Sequence, residues 1–231
     1  MKLTVKQLAR MMDLSAVRTD VDLDEVRELA EACKRYACIC AFVMPCHMAE
    51  LKKYLADAPE VRLGGVVGFP SGSVTTTIKV AEAREHLTLG ASELDMVINV
   101  GLLRSGRDRD VEDDIRAVVE AAQGTPVKVI LEAHYLTDDE IVRGSQIAVR
   151  AGAAFVKTGT GWAPTGATLH NVELMKSAIG DAAQVKAAGG VRDLQTVVEM
   201  IRRGVTRFGV GLNSGTAILD QCAALPDGID V

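Results

Sequence analysis

Short runs of apolar residues alternate with longer amphipathic segments along the whole chain. Eight of these runs predict β-strands, at residues 10–14, 39–44, 62–68, 93–99, 127–133, 155–160, 184–189 and 207–211. Several are nearly continuous in valine, isoleucine, leucine and alanine, which is typical of strands that are covered on both faces. The first run is the weakest of the eight.

The segments between these runs carry apolar residues at helical spacing. Six helices are predicted, at residues 22–36, 75–89, 110–123, 141–151, 169–179 and 193–203. Thr137 and Glu140 have the spacing of a capping box in front of the fourth of them. Gly124, Gly180 and Gly204, each directly after a predicted helix, are typical stop signals.

Strands that alternate with helices form parallel sheets with right-handed crossovers. Eight strands in 231 residues match the number and size of a barrel of eight β/α units. We therefore predict an α/β fold, a TIM (β/α)8 barrel, with one domain over residues 1–231. The alternative is an open doubly wound sheet, whose glycine fingerprint should follow the first strand. Residues 209–214 resemble that fingerprint faintly, but they lie too near the C-terminus to begin a dinucleotide-binding unit.

Composition and charge narrow the possible classes of function. The chain is 48% hydrophobic and 25% charged, as in globular proteins with a sizeable core. Its net charge is −5 and it has no basic run, so we expect no nucleic-acid partner. No apolar stretch approaches the ~20 residues that span a bilayer, and residues 1–7 lack the apolar core of a signal peptide. We therefore expect no membrane partner and a cytoplasmic location.

The cysteines give no sign of a metal or redox site. They are Cys33, Cys38, Cys40, Cys46 and Cys222. Their number is odd and their spacing fits no zinc or redox motif, so we expect reduced thiols. Cys46 and His47 could form half of a metal site, but no second pair of ligands is evident. We predict neither a metal nor a cofactor.

Two lysines stand in apolar strand runs that glycines follow at once. Lys157 lies in the run 155–161 and Lys186 in the run 185–192. A buried lysine is costly unless its charge is used or removed, so two of them suggest that one is a neutral, nucleophilic amine. The carboxyl ends of barrel strands surround one mouth. Asp95, on the fourth strand, converges with both lysines there if all three side chains point inward.

Such convergence would favour imine chemistry. A free lysine has a pKa of about 10.4, and both burial and a second ammonium nearby favour its neutral form. Asp95 could move protons as the carbinolamine loses water, and the imine would then permit retro-aldol cleavage. Alternatively, either lysine could form a structural ion pair across the interior. We interpret Lys79 and Lys128 in that way, or as surface residues, and Glu132 as a carboxylate that could neutralise one of the lysines.

Glycine clusters follow the last three predicted strands, at residues 158–161, 189–190 and 209–215. Glycine lets backbone N–H groups surround an anion, and barrels often hold a phosphate after strands seven and eight. We therefore predict phosphate binding, although each cluster alone could simply form a tight turn. His134 could face the mouth, and Trp162 could either line the pocket or cap the core.

Taken together, these motifs resemble the deoxyribose-phosphate aldolase family. The resemblance runs from Met12 to Leu219, and its strongest parts are residues 68–70, 93–99, 128–132, 155–158 and 185–192. It implies a class I aldolase on a TIM barrel. Such an enzyme cleaves 2-deoxy-D-ribose 5-phosphate reversibly to D-glyceraldehyde 3-phosphate and acetaldehyde through a lysine Schiff base.

The resemblance also implies a role for each site residue. Lys157 would be the Schiff-base lysine, Lys186 the neighbouring ammonium, and Asp95 the proton relay. The phosphate would be bound at Gly161, Gly189, Gly190, Gly211 and Ser214. The partners would be the phosphorylated sugar, acetaldehyde and further copies of the chain in a homo-oligomer, with a dimer favoured.

The chain departs from the family's pattern at three places. The usual Lys-Thr-Ser-Thr-Gly has a glycine, Gly159, in place of its serine. Phe42 replaces a cysteine often found in the second strand, and the serine pair expected after the last strand is not in place. The altered last loop leaves open a related imine-forming aldolase that acts on another sugar phosphate. The glycine loops, taken without reactive lysines, also leave open a non-catalytic barrel that binds a phosphorylated metabolite.

Overall fold

Strands and helices alternate along nearly the whole chain, as the apolar pattern predicts. The computed structural model describes residues 2–225 and 227–231. The strands are β1 (Lys2–Leu3), β2 (Met12–Ala16), β3 (Cys40–Val43), β4 (Arg62–Val67), β5 (Glu93–Val97), β6 (Val127–Ile130), β7 (Phe155–Lys157), β8 (Gln184–Ala188), β9 (Val205–Gly211) and β10 (Ile229–Asp230). Strands β2 to β9 are parallel, each pairs with the next, and β9 pairs with β2 to close the barrel. The predicted TIM barrel is confirmed.

The helices pack around this barrel. They are α1 (Val5–Ala9), α2 (Leu23–Tyr36), α3 (Met48–Tyr54), α4 (Thr76–Leu89), α5 (Val100–Arg104), α6 (Asp108–Ala121), α7 (Asp138–Arg150), α8 (Leu169–Ile179), α9 (Leu194–Arg202) and α10 (Leu212–Ala223). The six predicted helices correspond to α2, α4, α6, α7, α8 and α9, and α7 begins with the predicted capping box. The first barrel strand, β2, lies two residues later than the predicted strand at residues 10–14. In the part of the chain described, no helix combines the length and apolarity needed to cross a bilayer.

The apolar core lies mainly between the outer faces of the strands and the helices. The inside of the barrel is different. Cys40, Phe42 and Val66 form a small separate apolar cluster there, and the Phe155 ring packs against Lys128 and Arg207. Seven charged residues occupy much of the remaining interior, and the exposure of each whole residue is at most 7%: Asp13, Glu93, Asp95, Lys128, Lys157, Lys186 and Arg207. Buried charges on this scale persist only when they are paired.

One face of α4 holds the backbone at the carboxyl ends of β4 and β5. Lys79 Nζ donates to the Val97 carbonyl at 2.9 Å and pairs with Asp114 at 2.6 Å. Glu82 accepts the Gly68 N–H at 2.6 Å, and His86 Nε2 lies 2.7 Å from the Val66 carbonyl. Lys79 is thus a structural ion-pair residue, as predicted, and α4 fixes the loop that carries Phe69 at the mouth.

The two chain ends pair with each other at the amino end of the barrel. In the antiparallel pair β1–β10, Leu3 lies opposite Ile229. Strand β1 leads through α1 into the amino end of β2, and Arg202 Nη2 donates to the Asp230 carbonyl at 3.1 Å. Residues 229–230 are therefore held at the opposite end of the barrel from the mouth.

Candidate active site

The three predicted catalytic side chains meet inside the barrel. Lys157, the last residue of β7, lies beside Lys186 of β8 in the strand register. The Nζ atoms of both lysines are 2.6 Å from the same oxygen, Oδ2 of Asp95 on β5. The two nitrogens are therefore no further apart than twice that distance. Both lysines point inward, as the imine hypothesis requires.

Lys128, on β6, is a third ammonium in contact with this group. Its Nζ lies 3.1 Å from Asp95 Oδ1, 2.5 Å from Glu93 Oε2 and 3.3 Å from Asp13 Oδ2. Burial alone would lower the pKa of Lys128, but the carboxylates of Asp13, Asp95 and Glu93 outweigh it and raise the pKa. Lys128 therefore stays protonated, in keeping with its predicted structural ion-pair role.

Asp13 and Arg207 belong to the same network, although the sequence reasoning did not single them out. Asp13 Oδ2 accepts from Lys186 at 2.6 Å, and its Oδ1 accepts from Arg207 Nη1 at 2.7 Å. Burial alone would raise the pKa of Asp13, but the charges of Lys128, Lys186 and Arg207 lower it to about 2. The sequence does contain a sign that Asp13 belongs to the site, because Asp13 is a carboxylate inside an apolar strand run, as Asp95 is.

Lys157 is the lysine best placed to react with a carbonyl compound. Its side chain is 8% exposed, compared with 1% for Lys186 and none for Lys128. Burial, followed by the ammonium groups of Lys186 and Lys128, lowers the pKa of Lys157 to about 8 against the opposing effect of Asp95. At pH 7 roughly 10% of such a side chain is neutral, compared with roughly 0.03% at an ordinary lysine pKa.

Glu132 does not neutralise a lysine, so that hypothesis is wrong. Its carboxylate accepts from the Thr160 N–H at 3.1 Å and from the Thr160 hydroxyl at 2.5 Å, and no ion pair joins it to a lysine within the described ranges. Glu132 instead fixes the loop after β7. A Cβ on Gly159 would lie 2.8 Å from Glu132 Oε1. A side chain at this position would therefore require the Glu132 carboxylate to shift.

Two connected cavities open at the mouth. The inner one, of about 30 Å³, is lined by Lys157, Lys186 and Asp95 among others. The outer one, of about 230 Å³, continues from it, because Ser15, Val17, Thr160 and Gly209 line both. A larger cavity, of about 760 Å³, lies near the amino ends of β4 and β5 and includes none of the converging side chains. A small reacting group fits beside Lys157, and a larger group fits outside.

The outer cavity has the features of an anion site. Its lining includes all five residues predicted to bind phosphate: Gly161, Gly189, Gly190, Gly211 and Ser214. The first three have φ between +85° and +93°, a conformation that favours glycine and is typical of backbone segments that bind anions through their N–H groups. Helix α10 begins there with no side-chain cap, and the positive end of its dipole attracts anions. Arg18 and Arg192 add cationic side chains to the same lining.

Two aromatic side chains shape the space beside the lysines. The Phe42 ring lies 4.6 Å from Lys186 Nζ and 4.7 Å from Lys128 Nζ, so it packs against both cations. Trp162 lines the outer cavity, and its indole N–H donates to the Val17 carbonyl at 3.1 Å. Trp162 thus links the loop after β7 to the loop after β2 and does not cap the core. His134 lines neither cavity; its Nδ1 lies 2.7 Å from the Thr165 hydroxyl.

Comparisons with known proteins agree with this geometry. The family model described as DeoC/LacD family aldolase matches residues 6–221. The chain belongs to the DeoC/LacD aldolase family. It is therefore an aldolase, a carbon–carbon lyase, and the resemblance found in the sequence is confirmed.

Relatives within this family cover almost the whole chain. Deoxyribose-phosphate aldolase of Sinorhizobium medicae is 46% identical over 97% of this chain and 90% of that protein. The deoxyribose-phosphate aldolase of Klebsiella pneumoniae is 43% identical over 97% of this chain and 91% of that protein. Among solved structures, the tetrameric deoxyribose phosphate aldolase of Aeropyrum pernix has a TM-score of 0.86 and 29% identity, covering 94% of this chain and 92% of that one.

One cluster in the interior has the composition of a metal site but not its electrostatics. Ligand atoms of Asp13, Cys40 and Glu93 lie within 4.8 Å of one another. The two carboxylates already pair with Lys128 and Arg207, which would repel a divalent cation. Burial raises the pKa of the Cys40 thiol well above its usual range, which keeps it protonated. The cluster fits an ion-pair network better than a metal.

Proposed function

We propose that the protein cleaves 2-deoxy-D-ribose 5-phosphate reversibly to D-glyceraldehyde 3-phosphate and acetaldehyde through a Schiff base on Lys157. The observation that carries the proposal is the convergence of Lys157 and Lys186 on one oxygen of Asp95, with Lys157 the more exposed of the two lysines. The names of the family relatives support the choice of substrate.

Imine formation requires a neutral amine and neighbouring groups that accept and return protons. The neutral amine of Lys157 attacks the C1 aldehyde of the open-chain sugar and forms a C–N bond. Asp95 lies within hydrogen-bond distance of Lys157 Nζ, where it can take the proton of the attacking amine. Lys186, on the same carboxylate oxygen, can return a proton as the carbinolamine loses water.

Carbon–carbon cleavage then uses the imine as an electron sink. A base removes the proton of the C3 hydroxyl, the C2–C3 bond breaks, and C3 leaves as the aldehyde carbon of glyceraldehyde 3-phosphate. The electron pair moves into an enamine on Lys157. Protonation at C2 and addition of water to the resulting imine release acetaldehyde and regenerate the Lys157 amine.

The outer cavity supplies the binding energy for the phosphate end. The backbone N–H groups around Gly161, Gly189 and Gly190 and the start of α10 give an anion-binding surface that does not need the family's serine pair. The two cavities share lining residues, so one substrate can occupy both. This arrangement holds the reacting aldehyde next to Lys157.

Reductive trapping tests the proposal. Acetaldehyde and borohydride should convert the transient imine into a stable secondary amine, and peptide mass spectrometry should locate it at Lys157. The Lys157→Met variant is the matched control and should not be labelled in the cavity. An adduct at Lys186 or at surface lysines alone, with Lys157 unmodified, would refute the assignment.

A second candidate is a related reaction on another sugar phosphate. Two observations favour it: Phe42 narrows the inner cavity, and the loop after β9 differs from the family's pattern. Turnover should be compared across 2-deoxyribose 5-phosphate and other phosphorylated aldoses at equal concentration. Faster cleavage of another sugar would establish the second candidate, with the same Lys157 adduct.

The predicted dimer and cytoplasmic location stay predictions. The structure of the relative from Aeropyrum pernix is tetrameric, which differs from the dimer predicted for this chain. Light scattering of the purified protein would give the number of subunits directly.

A further inference from the structure

The interior of the barrel holds one continuous chain of alternating charges. Arg207 Nη1 lies 2.7 Å from Asp13 Oδ1, and Asp13 Oδ2 lies 2.6 Å from Lys186 Nζ. The same ammonium lies 2.6 Å from Asp95 Oδ2, which Lys157 Nζ contacts at 2.6 Å. Lys157 is the last member of this chain and the one at the mouth.

A second, deeper ion pair, between Glu93 and Lys128, contacts this series of charges at several points. Glu93 Oε2 lies 2.5 Å from Lys128 Nζ and 3.0 Å from Arg207 Nη1. Lys128 in turn contacts both Asp13 and Asp95. Charges at Glu93 and Arg207 are therefore coupled to the mouth through direct ion pairs at every step.

The formal charges of this network do not balance when every group is ionised. Four cations (Lys128, Lys157, Lys186 and Arg207) face three anions (Asp13, Glu93 and Asp95), and none of the seven is more than 7% exposed. Loss of one proton makes the set neutral. Because water cannot screen these groups, the count of charges matters more here than at a surface.

We infer that Glu93 and Arg207 are positioning residues whose opposite charges, acting through Asp13, Lys128 and Lys186, set how readily Lys157 gives up its proton. The inference rests on the proposed Schiff-base function of Lys157. Neither residue lines the cavities at the mouth, so neither touches the substrate. Their effect on the reaction would be electrostatic, through the number of charges in the interior.

Other charged or titratable groups near the network leave this count unchanged. Arg62 pairs with Glu93 from the amino end of the barrel, but its side chain is 45% exposed and therefore screened. Glu132 is directed to Thr160, and the buried Cys40 thiol is neutral. The charges that face Lys157 from the neighbouring strands are those of Asp95, Lys128 and Lys186.

The test removes charges one at a time and follows the pH dependence of imine formation. Arg207→Met removes a cation, so Lys157 should hold its proton more tightly. The acid limb of the pH–rate profile, where the rate of imine formation rises with pH, should then move to higher pH. Glu93→Gln removes an anion, so the limb should move to lower pH. Each displacement should be about 1 pH unit, because a unit charge roughly 10 Å away at an effective dielectric constant of about 20 contributes about 1.7 kcal/mol, or about 1.2 pK units.

Two further variants separate charge from packing. Arg207→Lys keeps the cation and should leave the acid limb close to that of the unaltered protein. The double variant with Glu93→Gln and Arg207→Met removes one charge of each sign and should also restore it. Loosening of the barrel alone would lower the melting temperature of all these variants without moving the limb in opposite directions.

The readout is the initial rate of adduct formation with acetaldehyde and borohydride between pH 5 and 10, quantified on the peptide that carries Lys157. Opposite displacements for the two single variants support the inference. Coincident limbs, or displacements in the same direction, overturn it while the adduct itself preserves the proposed function. Absence of a Lys157 adduct in the unaltered protein overturns both.

Discussion

Replacing Lys186 with methionine tests the role of the second ammonium most severely. The two ammonium nitrogens contact the same oxygen of Asp95 at 2.6 Å each, so they lie within about 5 Å of each other. At that separation and an effective dielectric constant of about 20, two unit charges repel by about 3 kcal/mol. Since one pK unit corresponds to about 1.4 kcal/mol, this repulsion alone is worth about two units.

The sign of the effect follows from the neutral form being the reactive one. Burial and Lys186 lower the pKa of Lys157 to about 8, so removal of Lys186 should raise it. We expect the acid limb of imine formation to move up by about two pH units. At pH 7 the rate should fall about 100-fold, and most of the lost rate should return at high pH.

The assay is the rate of borohydride-trapped adduct formation at Lys157 as a function of pH. The Lys186→Arg variant is the control, because it keeps the positive charge near Asp95. Asp13 and Asp95 keep other cationic partners in the methionine variant, so we expect it to fold. An acid limb that stays in place in the methionine variant would refute the reasoning, whatever happens to the maximal rate.

Three further predictions concern the other parts of the site and the fold. Asp95→Asn should lower kcat by about 10² to 10⁴ through loss of proton transfer while leaving inhibition by inorganic phosphate unchanged; weaker phosphate binding would indicate a structural role instead. Gly190→Ala places a side chain at φ +93°, which strains the backbone of the predicted phosphate site. KM for the phosphorylated sugar should therefore rise, while the rate of cleavage of unphosphorylated deoxyribose should stay constant. An equal loss of activity on both sugars would contradict the phosphate assignment. Lys79→Met leaves buried Asp114 without its cation and should lower the free energy of unfolding in urea by about 3 to 5 kcal/mol with kcat unchanged; an unaltered midpoint would contradict this.

The order of strands and helices could be predicted because the barrel strands are buried on both faces and read as apolar runs. The elements that were missed are those in which local signals are weak. Helix α10 begins Leu212-Asn-Ser-Gly-Thr, which are mostly poor helix formers, and its stability comes from packing against the barrel. Helix α3 has only seven residues, about two turns, and β1 and β10 have two each, so the apolar spacing hardly repeats within any of them.

The convergence of Asp95, Lys157 and Lys186 could be predicted because all three are charged residues in apolar strands near glycine turns. The complete network could not, because it depends on which face each strand turns inward and on the register between strands. Lys128 pairs with Asp95, and Lys186 lies opposite Arg207, only after the barrel has closed. Glu132 misled the sequence reasoning for the same reason, since its αL backbone turns the carboxylate toward Thr160.

The central claim is that burial and the neighbouring ammonium groups lower the pKa of Lys157 far enough for a useful fraction of its amine to be neutral near neutral pH. A direct measurement is NMR titration of protein labelled with ¹³C at the lysine ε-carbons, with the Lys157 resonance identified by its absence from the Lys157→Met variant. The account predicts a titration midpoint near pH 8, because burial and two neighbouring ammonium groups oppose protonation. A midpoint above about 10, as in an ordinary exposed lysine, would contradict it.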